Sequence, residues 1–136
     1  MSGTLKTCAF LSAILAATAA AAQTCPDLAG ALKAESERYV IAYRTRPDRI
    51  AAGQHFAMDV VVCPRDGGAI PVDLRVDAQM PEHRHGMNYR TTVQSVGASR
   101  YAVEGFMFHM PGRWEFIFEV RADGTTDRLT RSVTFD

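Results

Sequence analysis

Beyond residue 22 the sequence has no long apolar run, and nowhere does it gather charge of one sign. The first absence leaves the body of the chain without a bilayer-spanning helix, which takes about 20 consecutive apolar residues. The second removes the usual footprint of a nucleic-acid binder. Fifteen basic residues balance 15 acidic ones, the signs are interspersed, and there is neither a basic stripe nor a charged tail. Cysteine is scarce, at three residues, and no Cys-x-x-Cys pair occurs, so the common spacings of thiol redox and zinc sites are missing. After residue 22 there is no internal repeat and no low-complexity segment.

The one apolar run lies at the start. After Lys6, residues 8–22 are apolar or small except Ser12 and Thr18, and the run closes on Ala20-Ala21-Ala22 before Gln23. A short positive start, an apolar stretch too short to span and an Ala-x-Ala ending make a secretory signal peptide. Residues 1–22 are therefore expected to be removed. Gln23 and Thr24 are too polar for a lipid-attachment pattern before Cys25, so no membrane insertion is expected after cleavage. The expected location is the periplasm or the exterior.

Cleavage removes Cys8 and leaves Cys25 and Cys63, an even number in an exported chain, which predicts a disulfide between them. A closed loop of this size contributes about 4 kcal/mol in the chain-entropy model. Residues 23–136 suffice for one domain with its own core.

Within that domain the pattern is of strands. A short helix is expected somewhere in 26–37, because Pro26 suits a first helical turn and Asp27 its N-terminal end. Then β-rich runs follow at 39–43 and 56–62, separated by Pro47-Asp48 and Gly53. Val72, Leu74, Val76, Ala78 and Met80 alternate with Asp73, Arg75, Asp77 and Gln79, a clean period of two. Further strands are predicted at 89–96 and 101–108, the latter with a bulge at Gly105. Trp114, Phe116, Phe118 and Val120 alternate with Arg113, Glu115 and Glu119, Asp123-Gly124 marks a hairpin turn, and 129–135 closes the domain. About seven short strands with frequent turns predict an all-β, immunoglobulin-like β-sandwich.

Histidine and methionine gather in two places: Met80-Pro81-Glu82-His83-Arg84-His85-Gly86-Met87 and Phe108-His109-Met110-Pro111-Gly112. The first leaves a predicted strand and the second enters a turn, so both can occupy one end of a sandwich. In an extended chain His83 and His85 point to the same side, and Met87 joins them if the extension continues. Imidazole with thioether is a soft, mixed donor set that suits copper; zinc more often takes a carboxylate or thiolate, and Glu82 alone is too few for calcium. The candidate ligands are His83, His85, Met87, His109 and Met110. Met80 continues the apolar face of Val76 and Ala78 and belongs to the core. His55 reads as a surface histidine at a strand start.

The two motifs together resemble the YtkA-like domain family of small exported bacterial proteins, itself similar to FixH-type proteins. The family pattern reads Met-Pro-x-His-Gly-His-Gly, then Phe-x-Met-Pro-Gly-x-Trp. The resemblance covers roughly residues 39–135. It implies an immunoglobulin-like sandwich, an extracytoplasmic location and an association with copper handling, carried by His83, His85, Met87, His109 and Met110. Arg84 departs from it, standing where the family has glycine.

Two functions compete. One is an exported copper-binding protein with a periplasmic or membrane protein partner. The other is a non-catalytic structural or interaction module without metal, for which an exposed apolar patch around the motifs is expected. No enzyme is expected: Ser95 and Ser99 lack a base partner, and no paired carboxylates stand near the motifs.

Overall fold

The computed structural model describes Met1, residues 26–66 and residues 68–136. Residues 2–22 of the expected signal peptide, and Cys25, lie outside the described residues. Cys63 is disulfide-bonded. Among the described residues no helix is long and apolar enough to cross a membrane.

Nine strands form two antiparallel sheets among the described residues: β1 (Leu32–Glu35), β2 (Tyr39–Arg46), β3 (His55–Pro64), β4 (Asp73–Met80), β5 (His85–Gly86), β6 (Thr92–Gly97), β7 (Arg100–Met107), β8 (Gly112–Ala122) and β9 (Thr125–Phe135). One sheet runs β1, β2, β3, β7, β6 and the other β5, β4, β8, β9. This is the all-β sandwich of immunoglobulin-like type that the strand pattern predicts.

Alternation decides which face each strand buries. On β2, Tyr39, Ile41, Tyr43 and Thr45 are buried; on β4, Leu74, Val76, Ala78 and Met80; on β8, Trp114, Phe116, Phe118, Val120 and Ala122. The polar residues between them are exposed or half-buried, because successive side chains of a strand point to opposite faces. The two inner faces meet in one aromatic core, with Phe116 ringed by Tyr43, Phe56, Phe106, Phe108 and Phe118. Across the edges, Arg38 before β2 pairs with Asp127 of β9.

Two elements depart from expectation. The helix predicted within 26–37 is absent: Ala29-Gly30 turns the chain, and β1 adds to the edge of β2 with Leu32 opposite Tyr43 and Glu35 opposite Val40. Its residues favour helix by composition, but docking on β2 satisfies their backbone groups and buries Ala34 (3% exposed). The second is β5, two residues long and too short to be read from periodicity.

The bulge expected at Gly105 is present. Between Phe56↔Phe106 and Met58↔Val103, β7 carries one residue more than β3. Gly105 sits at φ +95°, and a Cβ there would lie 2.7 Å from the Arg90 carbonyl oxygen.

Antiparallel pairing of β4 with β8 places Gln79 opposite Glu115, so the end of β4 lies beside the start of β8. That register brings the turn after Met80 next to the turn before Gly112. Gly112 has φ +123°, and a Cβ there would lie 2.6 Å from Met80 Cε. The thioether end can move aside, but the backbone angle cannot be relaxed so easily. Gly112→Ala is expected to lower stability by about 1–3 kcal/mol, seen as a fall in the urea midpoint. An unchanged midpoint would show that residues 109–112 do not adopt this turn.

Candidate metal centre

The first motif is a tight turn. The His83 amide donates to the Met80 carbonyl at 3.1 Å and the Arg84 amide to the Pro81 carbonyl at 3.3 Å. Arg84 sits at φ +54°, a left-handed angle that costs a side-chain-bearing residue about 1–2 kcal/mol and glycine almost nothing. His85 then re-enters the sheet opposite Met80, and Gly86 opposite Gln79. His83 and His85 are therefore brought together by a turn and not by the extended chain that the sequence suggested. Glu82 and Arg113 form an ion pair at 3.0 Å, tying this turn to the start of β8.

The second motif, residues 108–111, crosses from β7 in one sheet to β8 in the other. The Trp114 Nε1–H donates to the Met110 carbonyl at 3.0 Å, fixing the turn from inside. Phe108 stacks on Trp114, ring centres 4.3 Å apart.

Three imidazoles follow one another at this end of the sandwich. His85 lies 5.7 Å from His83 and 5.0 Å from His109, centre to centre. His85 is half-buried while His83 and His109 are exposed. Trp114 flanks the row: its ring meets His109 at 5.4 Å and His85 at 5.8 Å, edge-to-face in both cases.

Two imidazoles on one ion, with metal–nitrogen bonds of about 2.0 Å, place their ring centres roughly 5–6 Å apart at tetrahedral to trigonal angles. Both neighbouring pairs fall in that span. His85 Nδ1 lies 3.0 Å from the Gly86 carbonyl oxygen. A carbonyl only accepts, so Nδ1 is the donor in this contact, and in the neutral ring that leaves the lone pair on Nε2, the arrangement that orients a ligating histidine. Among the described residues, however, no three or more His, Cys, Asp and Glu side chains are grouped to hold a metal ion. The three imidazoles stand as a row with His85 in the middle.

The two candidate methionines of the motifs pack inward. Met87 and Met110 are half-buried and pack against the core, and Met87 with Gly86 lines a cavity of about 710 Å³ along β4. A thioether is the one further soft donor type in the sequence of the two motifs. Met80 is core, 2% exposed, as its alternation predicts.

Sequence reasoning placed Trp114 in the core and did not see it as the flank of the histidine row. Its position, the first apolar residue after the Pro111-Gly112 turn, was the available signal. His55 is exposed, as expected, and its ring meets Tyr89 at 5.0 Å. Exposed large apolar residues among those described are Met1, Leu32, Ile70, Val72, Tyr89 and Val96, of which Tyr89 alone neighbours a motif in sequence.

No family model matches the chain, and no curated protein does. Among solved structures, the chain is similar to a DUF4426 family protein from Pseudomonas aeruginosa PAO1, at 13% identity and a TM-score of 0.47, over 79% of this chain and 97% of that one.

Proposed function

We propose that this is an exported, YtkA-like copper-binding protein, a carrier or store without catalytic activity, cleaved after Ala22 and bridged between Cys25 and Cys63. The observation that carries the reading is the position of His85, within a shared-ion distance of both His83 and His109. The ion is held by His85 and one or both flanking imidazoles, completed by a thioether from Met87 or Met110. Soft thioether and borderline imidazole favour copper over calcium or magnesium. The exposed His83 and His109 leave the site open to solvent, which suits hand-over to a protein partner.

The alternative is a non-catalytic module in which the imidazoles only pack. It is favoured by the edge-to-face contacts of His85 and His109 with Trp114, which hold these rings without any ion.

Anaerobic Cu(I) titration of the disulfide-intact protein against a colour-forming chelator separates the two. One equivalent retained by the wild type and lost by His83→Ala/His85→Ala is the expected result. Trp114 is the chain's only tryptophan, so its fluorescence is expected to fall in step with that equivalent. A wild type that takes no copper even from a weak chelator sinks the copper reading and leaves the packing module.

A further inference from the structure

The edges of the two sheets are not alike. One sheet ends in β1 and β6, the other in β9 and in β5 with β4 behind it. An edge strand presents backbone amides and carbonyls that no neighbour uses, and proteins blunt such rows with charge, short length or covering groups. β1 carries Lys33 and Glu35, and β9 carries Asp127, Arg128 and Arg131. β5 is two residues long. Beyond it, β4 carries Asp73, Arg75 and Asp77, and its free groups are capped. The Thr91 hydroxyl donates to the Val76 carbonyl, and Asp77 Oδ1 accepts from the Ala78 amide at 2.8 Å.

β6 is left open. Its residues are Thr92-Val93-Gln94-Ser95-Val96-Gly97, without charge or proline, in a chain of which 22% is charged. β7 pairs along one side, and no loop or side-chain hydrogen bond reaches residues 92–97 among the described residues. Every residue but Val93 is exposed. One bulge, between Ser95 and Gly97, lies at the hairpin end and leaves 92–95 in regular register.

The strand is also its own match. About a two-fold axis through Gln94, antiparallel pairing sets Gln94 against Gln94 of a second copy and Val93 against Ser95. Inward residues then meet inward ones, as the side-chain period of two requires. The two Gln94 amides can donate to and accept from each other, and no like charges meet. A charged foreign strand finds no counter-charge on β6, so charge complementarity favours the neutral strand that every copy of the chain carries.

We propose that the protein self-associates through β6, joining two five-stranded sheets into one of ten strands. Antiparallel pairing sends the two histidine rows to opposite ends of the dimer. The contact is one strand wide, at the low end of interface size, so the dimer is weak.

Sedimentation equilibrium of the disulfide-intact protein tests this. The wild-type mass is expected to rise from one chain towards two with a Kd on the order of 100 µM. Gln94→Lys and Gln94→Glu each put like charges on the two-fold axis and are expected to weaken self-association at least about tenfold. Gln94 is exposed, so neither change should disturb the fold. An equimolar mixture of the two variants is expected to recover the wild-type profile, which a misfolded variant could not do. Amide exchange at high concentration is expected to slow within residues 92–95. The proposal is overturned if the wild type stays a single chain up to about 1 mM, which leaves β6 to a foreign strand or to solvent. It is equally overturned if exchange slows at another edge instead, if the Gln94 variants associate like the wild type, or if their mixture does not recover.

Discussion

Phe116→Ala is expected to cost about 3–5 kcal/mol of unfolding free energy, the range for deleting a buried aromatic ring. The ring is 1% exposed on the inner face of β8. It touches Tyr43 at 5.6 Å and Phe106 and Phe108 at 5.7 Å, all from the opposite sheet or the crossing between sheets, and Phe118 at 6.5 Å on its own strand. Removing it leaves a void that no single neighbour can fill, because the sheets are fixed in spacing by the remaining rings and by their hydrogen bonds. A domain of this size has only about 5–15 kcal/mol in total, so the variant should stand near its folding limit at 37 °C. Phe135→Ala serves as the contrast. That ring is half-buried at the end of β9 and stacks on Phe108 from the rim at 5.9 Å, and its loss should cost clearly less. Urea unfolding of both variants checks the ordering. Equal costs, or a Phe116→Ala cost under about 1 kcal/mol, would mean that the aromatic node is not where the two sheets are held together.

Much of that node is readable from period-two alternation. Residues 72–80 alternate without a break and 113–120 with one, at the apolar, buried Ile117, and each residue predicted inward from Leu74 to Met80 and from Trp114 to Val120 is buried; Val72 stands before β4 begins and is exposed. The pattern works because one face of each sheet packs and the other meets water. It fails where neither periodicity nor composition constrains the chain. Leu32-Lys33-Ala34-Glu35 is built of helix-favouring residues, and only the free edge of β2 makes it a strand. His85-Gly86 is too short to have a period at all.

The site was legible as a list of residues and less so as a geometry. Sequence placed the two motifs at one end, and the β4–β8 register is what puts them side by side. Extension was expected to align His83 with His85 and to bring Met87 along. The left-handed angle at Arg84 instead folds the turn, keeping the two rings adjacent while Met87 goes on to pack against the core. Which buried tyrosine hydroxyl reaches a backbone carbonyl could not be seen in sequence. Tyr39 and Tyr43 occupy equivalent inward positions on β2, and only the fold decides that one of them finds a carbonyl and the other does not.

The row of imidazoles gives an unequal expectation for its three members. His85 is the shared neighbour, so His85→Ala breaks both ring pairs and is expected to abolish the bound copper equivalent. His83→Ala leaves the His85–His109 pair, at 5.0 Å, and His109→Ala leaves the His83–His85 pair, at 5.7 Å. Each should weaken binding by roughly 10–100-fold, the scale on which loss of even a supporting group is felt at a metal site. His83 and His109 are exposed, and their replacement should shift stability by no more than about 0.5 kcal/mol. His85 packs on Trp114, so His85→Gln belongs beside His85→Ala to separate lost ligation from lost packing. Chelator competition measures affinity and urea unfolding measures fold in the same four variants. Equal losses at all three histidines would indicate that the row closes into one three-imidazole centre when the ion arrives. Unchanged affinity in His85→Ala would remove the ion from this end of the sandwich, and the edge-to-face packing on Trp114 would then be the whole role of the motif.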